Sequence, residues 1–249
     1  DRVGPDTVIL LPFGSQEEQG PHAPMGDYML ADAVAARVAE LSDAIVAPCV
    51  PFGYAEFFRG FPGGIQLRAA TFTALVEDVL VSFLDHGIER LVILNGHTTN
   101  SSLIDQVQRK VRRERGVAVA SIDLWRSLPE TVWEDLYGSH AAQARGHGAD
   151  PLTSLGLYLY PDKMRPDLIR PSVAASAFGL KAATSGVRFE AMQVNVPLDA
   201  HEVNADGMLG GDAMLASAEA GREIFEHITE AVSRFVAHMR QCDPRHPFD

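Results

Sequence analysis

Thr7-Val8-Ile9-Leu10-Leu11-Pro12-Phe13 is a near-continuous apolar run, and its surroundings decide the fold. A run of this length reads as a strand buried on both faces, the kind found in parallel sheets covered by helices. Directly after it comes a polar, Gly/Pro-rich loop, Glu17-Glu18-Gln19-Gly20-Pro21-His22-Ala23-Pro24-Met25, then Gly26-Asp27. The pattern returns at Leu91-Val92-Ile93-Leu94, which ends in Asn95-Gly96-His97-Thr98-Thr99-Asn100. Two buried strands thus deliver carboxylates, amides and imidazoles at their carboxyl ends, where α/β proteins place ligands. These side chains suit a divalent metal, and the pattern implies metal-dependent hydrolysis.

Outward from these runs, strand-like and helix-like segments alternate, which predicts an α/β fold. Leu30, Ala33, Val34, Val38 and Leu41 mark a helix face, and Ala44 to Pro48 a short strand. A long loop, Val50 to Leu67, carries Tyr54, Phe57, Phe58 and Phe61, and loops of this length tend to be functional. Phe72, Val76, Val79, Leu80 and Phe83 stripe a second helix, another begins near Ser101, and Val117 to Ile122 is a further strand. Thr153 to Tyr160 reads as a helix stopped by Pro161. Residues 169–209 read as irregular, with one extended run at Met192–Val196, and Ile224 to Met239 as a long final helix.

At 249 residues, 46% of them apolar, residues 1–249 are expected to form one large domain. The formal charge of −12 argues against nucleic acid and anionic membrane as partners, since both need clustered Lys/Arg. The dense basic stretch from Arg109 to Arg115 reads as the solvated face of a helix striped by Leu103, Ile104, Val107 and Val111. Cys49 and Cys242 fit neither zinc nor redox spacing, and a reduced, cytoplasmic protein is expected. No apolar run reaches the ~18 residues of a membrane span. No signal-type start is seen, although the chain begins at Asp1 rather than Met, which leaves room for residues upstream.

Glu17, Asp27 and His97 can supply a carboxylate–carboxylate–imidazole set, with His22, His140, His147 and Asp150 as further candidates. Glycines at 96, 146 and 148 allow backbone to approach closely beside His97 and His147. At this point the chain resembles the creatininase (creatinine amidohydrolase) family. That family's Gly-Ser-x-Glu-Gln-His-Gly-Pro-His-x-Pro, followed by Gly and a metal-binding Asp, reads here Gly14 to Pro24 and then Gly26-Asp27. Its Asn-Gly-His-x-x-Asn is matched by Asn95 to Asn100, and its Phe-Pro-Gly-Thr-Ile loop by Phe61 to Ile65. Its His-x-Gly-x-x-Glu-Thr-Ser block and later Tyr-Pro-Asp are echoed by His147 to Ser154 and Tyr160-Pro161-Asp162.

The resemblance implies a three-layer α/β/α sandwich with a mostly parallel central sheet, two metal sites and assembly as a homo-oligomer, the hexamer of the family. Carried over, Glu17 and His97 are ligands to one metal, Asp27 bridges two, and His147 is the catalytic histidine near the substrate. The departures matter as much. The family's second histidine ligand is Gln19 here, its Glu before Thr-Ser is Leu152, and the Glu two beyond His97 is Thr99. Asp150 or Glu18 can compensate, Glu18 also as a catalytic acid; otherwise the second ion is weak or absent, giving one or two ions per chain. Zinc is the expected metal, with manganese or iron as alternatives. Expected substrate contacts are His22, Thr98, Thr99, Tyr54, Phe57 and Trp125, with Trp133 a further pocket candidate. The expected reaction is hydrolysis of a cyclic amide or formamide in a small molecule; creatinine itself is disfavoured by Thr99 and Leu152. Hydrolysis of a cyclic ketone or ester, and an inactive binding or assembly subunit, stay open as alternatives.

Overall fold

The computed structural model describes residues 3–4, 6–173, 175–183 and 186–248. In chain order its elements are β1 (Val8–Phe13), α1 (Tyr28–Ser42), β2 (Ile45–Val46), α2 (Ala69–Leu84), β3 (Arg90–Asn95), α3 (Ser101–Arg115), β4 (Ala120–Asp123), α4 (Glu130–Tyr137), α5 (Ala141–Ala144), α6 (Leu152–Leu159), β5 (Ser176–Ala177), β6 (Leu180–Ala183), β7 (Gly186–Phe189), β8 (Met192–Asn195), α7 (Ala200–Val203) and α8 (Ala218–Met239). The first four strands form a parallel sheet in the order β2-β1-β3-β4.

Strand alternation sorts the apolar runs into two layers. Val8, Leu10, Val92 and Leu94 point to one face, where α1 and α8 bring Val34, Val38, Ile228 and Val232. Ile9, Leu11, Leu91 and Ile93 point to the other, against Phe72, Val76 and Leu80 of α2 and Ile104 and Val107 of α3. Every residue of β1 is buried, as a strand covered on both sides requires. The result is the expected three-layer α/β/α sandwich. Each fully buried aliphatic side chain contributes roughly 1.5–3 kcal/mol, so the sheet and its two helical layers make a stiff platform for the loops at its edge.

One expectation needs correction. Residues 169–209 hold more order than the sequence suggests: β5–β8 form a four-stranded antiparallel sheet in sequential order. Its strands are two to four residues long, too short to show a period. The loop from Val50 to Leu67 is folded onto the chain itself, with Phe58 buried against Ala55, Val203 and Leu209. The basic face of α3 is solvated as expected, with Arg109 paired to Asp105 and Lys110 to Glu77. Both cysteines are free, and among the described residues no helix is long and apolar enough to cross a membrane.

Candidate metal and catalytic site

Glu17 follows β1, Asp27 immediately precedes α1, and His97 follows β3, so all three sit at the carboxyl edge of the parallel sheet. An Asp in front of a helix ordinarily caps it. Asp27 does not; its side chain turns away and makes no capping bond. Instead the Ser15 N–H donates to Asp27 Oδ1 (2.6 Å) and the Ser15 hydroxyl to Oδ2 (3.2 Å). His97 Nδ1 lies 2.9 Å from Asp27 Oδ2 and 3.1 Å from Glu17 Oε1. Gly14 makes this approach possible, because a Cβ there would stand 2.7 Å from Asp27 Oδ1.

Glu17, Asp27 and His97 are all buried and offer ligand atoms within 4.8 Å of one another. Burial works against charge on His97, but the Glu17 and Asp27 carboxylates outweigh it and raise its pKa well above the usual imidazole value. Burial raises the Asp27 pKa, against the pull of His97 and the Ser15 donors. The two shifts have different causes, burial for Asp27 and the neighbouring carboxylates for His97, but both leave the cluster holding a proton that a cation can replace. The donor set fits a divalent metal on a second observation as well. Glu17 Oε2 and Gln19 Oε1 are buried without a hydrogen-bond partner, and buried polar oxygens are seldom left so.

The cluster opens into a cavity of about 720 Å³. His147 stands on its wall, 3.8 Å from Glu17 through Nδ1, while Nε2 lies 2.6 Å from the Glu18 carbonyl oxygen. That carbonyl can only accept, so Nε2 carries the proton and Nδ1 the lone pair. Burial holds the His147 pKa below the usual value, more than Glu17 and the Glu18 carbonyl raise it, and this favours the neutral ring. The ring stacks on Phe58 with centroids 4.3 Å apart. The backbone of His147 exchanges two hydrogen bonds with Leu209. Gly146 permits this, since a Cβ there would overlap the Gly210 carbonyl oxygen.

Of the substrate contacts expected from sequence, Thr98, Thr99, Phe57 and Trp125 line the cavity. Tyr54 and His22 do not. Tyr54 offers its backbone carbonyl to His97 Nε2 (3.2 Å) and to the Thr99 hydroxyl. His22 is buried behind the loop, with Nε2 on the Thr153 hydroxyl (3.0 Å). Glu18 points away from the cavity, and its carboxylate faces Arg165 and Asp206; burial raises its pKa. Gln19 lies behind the cluster and donates from Nε2 to Glu17 Oε1 (3.1 Å). Asp150 lines the cavity but stands apart from the three-ligand group. It accepts from the Tyr137 hydroxyl and from the Ser154 N–H (2.9 Å) and hydroxyl (2.7 Å). His140 is exposed and bonds Gln143. Sequence reasoning missed Arg126 and Arg145, which line the cavity with Trp133.

A parallel sheet with a buried carboxylate–imidazole cluster at its carboxyl edge, open to a cavity beside a neutral histidine, is the arrangement of a metallohydrolase. Residues 1–236 match the creatininase family model, creatinine amidohydrolase, and the chain belongs to the creatininase family. It is 31% identical over 242 residues to a creatinine amidohydrolase from Pseudomonas putida, covering 92% of this chain and 88% of that one. Partial matches are a mycofactocin precursor peptide peptidase from Mycolicibacterium smegmatis (37% identity; 37% of this chain, 40% of that one) and a 3-dehydro-scyllo-inosose hydrolase from Thermotoga maritima (31%; 39% and 32%). A manganese creatininase superposes with a TM-score of 0.75 at 30% identity, covering 94% of this chain and 91% of that one. A zinc–zinc form of a creatininase variant gives the same score and identity, with 94% and 90% covered. The chain is thus a hydrolase by family, related to enzymes of more than one substrate type.

Proposed function

We propose that this chain hydrolyses an amide-type bond in a small molecule, with one divalent metal held by Glu17, Asp27 and His97. The observation that carries the reading is the convergence of these three buried side chains, with Glu17 Oε2 unpartnered, beside His147 in an open cavity. A cation bound there supplies charge that polarises a carbonyl and acidifies water. The chain's own contribution centres on His147. Its neutral Nδ1 is oriented by the Nε2–H bond to the Glu18 carbonyl, so it can take a proton from attacking water and return it to the leaving nitrogen. Phe57, Trp125 and Leu152 give the cavity apolar walls that shield a ring or acyl group from water.

One ion rather than two follows from the departures in the ligand set. Gln19 brings a neutral amide, Leu152 brings no ligand atom, and the Thr99 hydroxyl is spent on His97 Nε2 and the Tyr54 carbonyl. Elemental analysis of protein purified without chelator is expected to give about one zinc, manganese or iron per chain, and Glu17→Gln to remove it. A panel of cyclic amides, formamides and a cyclic ketone then identifies the bond cleaved; the ketone is included because of the inosose hydrolase relative. Metal-free protein that hydrolyses none of them would favour a binding or assembly subunit. We also propose assembly as a homo-oligomer, on the hexameric pattern of the family, through the β5–β8 sheet, which exposes Phe178, Phe189 and Met192. A 27.0 kDa monomer at micromolar concentration by light scattering rejects that assembly.

A further inference from the structure

In an acidic chain, two of the residues lining the cavity are arginines, Arg126 and Arg145. No lining acid neutralises them. Glu17 and Asp27 are committed to the cluster with His97, and Asp150 has its oxygens occupied by Tyr137 and Ser154. Arg126 is exposed and, among the described residues, has no ion-pair partner. Arg145 is stacked over Trp133, its guanidinium carbon 4.6 Å from the ring centroid, which fixes the plane of its fork. One of its terminal nitrogens reaches the exposed Glu130 (2.6 Å), while Nε is buried without an acceptor. A planar guanidinium held on an indole face, with donors to spare, is the group that recognises a carboxylate.

We propose that Arg126 and Arg145 form a carboxylate-binding subsite in this cavity, so that the substrate is an amide bearing a free carboxylate. This deepens the hydrolase reading and rests on it for the word substrate, but the subsite itself is testable without turnover. The chain's two tryptophans, Trp125 and Trp133, both line the cavity, so intrinsic fluorescence reports directly on what enters it. The metal-loaded protein is titrated with N-acetylglycine and, in parallel, with N-acetylglycinamide, which differs only in lacking the charge. The acid is expected to bind at least about tenfold more tightly than the amide, as a charge-assisted pair should. Arg126→Ala, at an exposed position that leaves the fold untouched, is expected to lose most of that preference. Arg145→Lys, which keeps the charge but not the fork, is expected to weaken the acid about tenfold with little effect on the amide. Equal binding of acid and amide overturns the subsite. So does an acid preference that survives undiminished in both variants, since it would put the carboxylate on the cation at Glu17, Asp27 and His97. Failure of the hydrolase reading shows differently, as acid-selective, arginine-dependent binding with no cleavage of any amide.

Discussion

Asp27→Asn probes the cluster most directly, because it removes a charge and no volume. Asp27 accepts on both oxygens, from the Ser15 N–H at 2.6 Å on Oδ1 and beside His97 at 2.9 Å on Oδ2. Asparagine has one oxygen, so its amide group must face either the Ser15 donor or the His97 edge. A buried group left mispaired in this way costs about 1–3 kcal/mol. Loss of the metal ligand adds to this. A cation at one hundred times its Kd stabilises the folded chain by about 2.7 kcal/mol, and at about 2–4 °C per kcal/mol for a chain of this size the melting shift is about 5–11 °C. Wild-type protein in excess zinc is therefore expected to melt about 5–11 °C above the same protein in EDTA. In Asp27→Asn this gap should close, and the metal-free melt should fall by about 2–12 °C. Scanning fluorimetry with elemental analysis reads both effects. A wild type indifferent to EDTA, or a variant that keeps the full gap, refutes the assignment of these residues as metal ligands.

Other perturbations separate the roles of neighbouring residues. Phe58→Ala empties a buried position against Ala55 and Leu209 and is expected to cost about 3–5 kcal/mol in urea unfolding, whereas Phe57→Ala, on the cavity wall, should weaken substrate binding with little effect on stability. Gly221→Ala ought to gain up to about 1 kcal/mol from helix propensity in α8. A Cβ there would overlap the Ser154 carbonyl oxygen of α6, so the clash is expected to win and lower the unfolding midpoint; a stabilised variant contradicts that packing. Burial, with Asp32 and Asp27 nearby, pushes the Cys49 thiol up to about 12, so it stays protonated at pH 8 and should resist iodoacetamide in the folded protein, by mass spectrometry of the labelled peptide. Gln19→His should increase metal stoichiometry if the second position lacks only a stronger donor.

The layers and the convergence of Glu17, Asp27 and His97 were legible because each depends on local sequence. β1 and β3 are long buried runs, and a ligand one loop beyond such a run has few places to go. Within the loop the sequence could not tell which acid turns inward. Gln16 bridges to Ile65 in extended backbone, so Glu17 faces the cluster while Glu18 is turned toward Arg165. His22 looked like a site residue from its place in the Gly/Pro-rich loop after β1, yet the loop carries it to Thr153 of α6. Arg126 and Arg145 were invisible for another reason: they come to one cavity only in the folded chain, Arg145 held over Trp133 of α4, a contact that no local pattern encodes.

The pair of backbone hydrogen bonds between His147 and Leu209 divides the site in time as well as in space. Glu17, Asp27 and His97 are all made before His147 and well before Leu209. The segment that clips the histidine into place, around Leu209, is made more than a hundred residues after His97. The candidate ligand cluster and the seat of His147 are therefore assembled at different stages of the chain's making, and a product truncated before Leu209 would carry Glu17, Asp27 and His97 without the segment that seats the histidine.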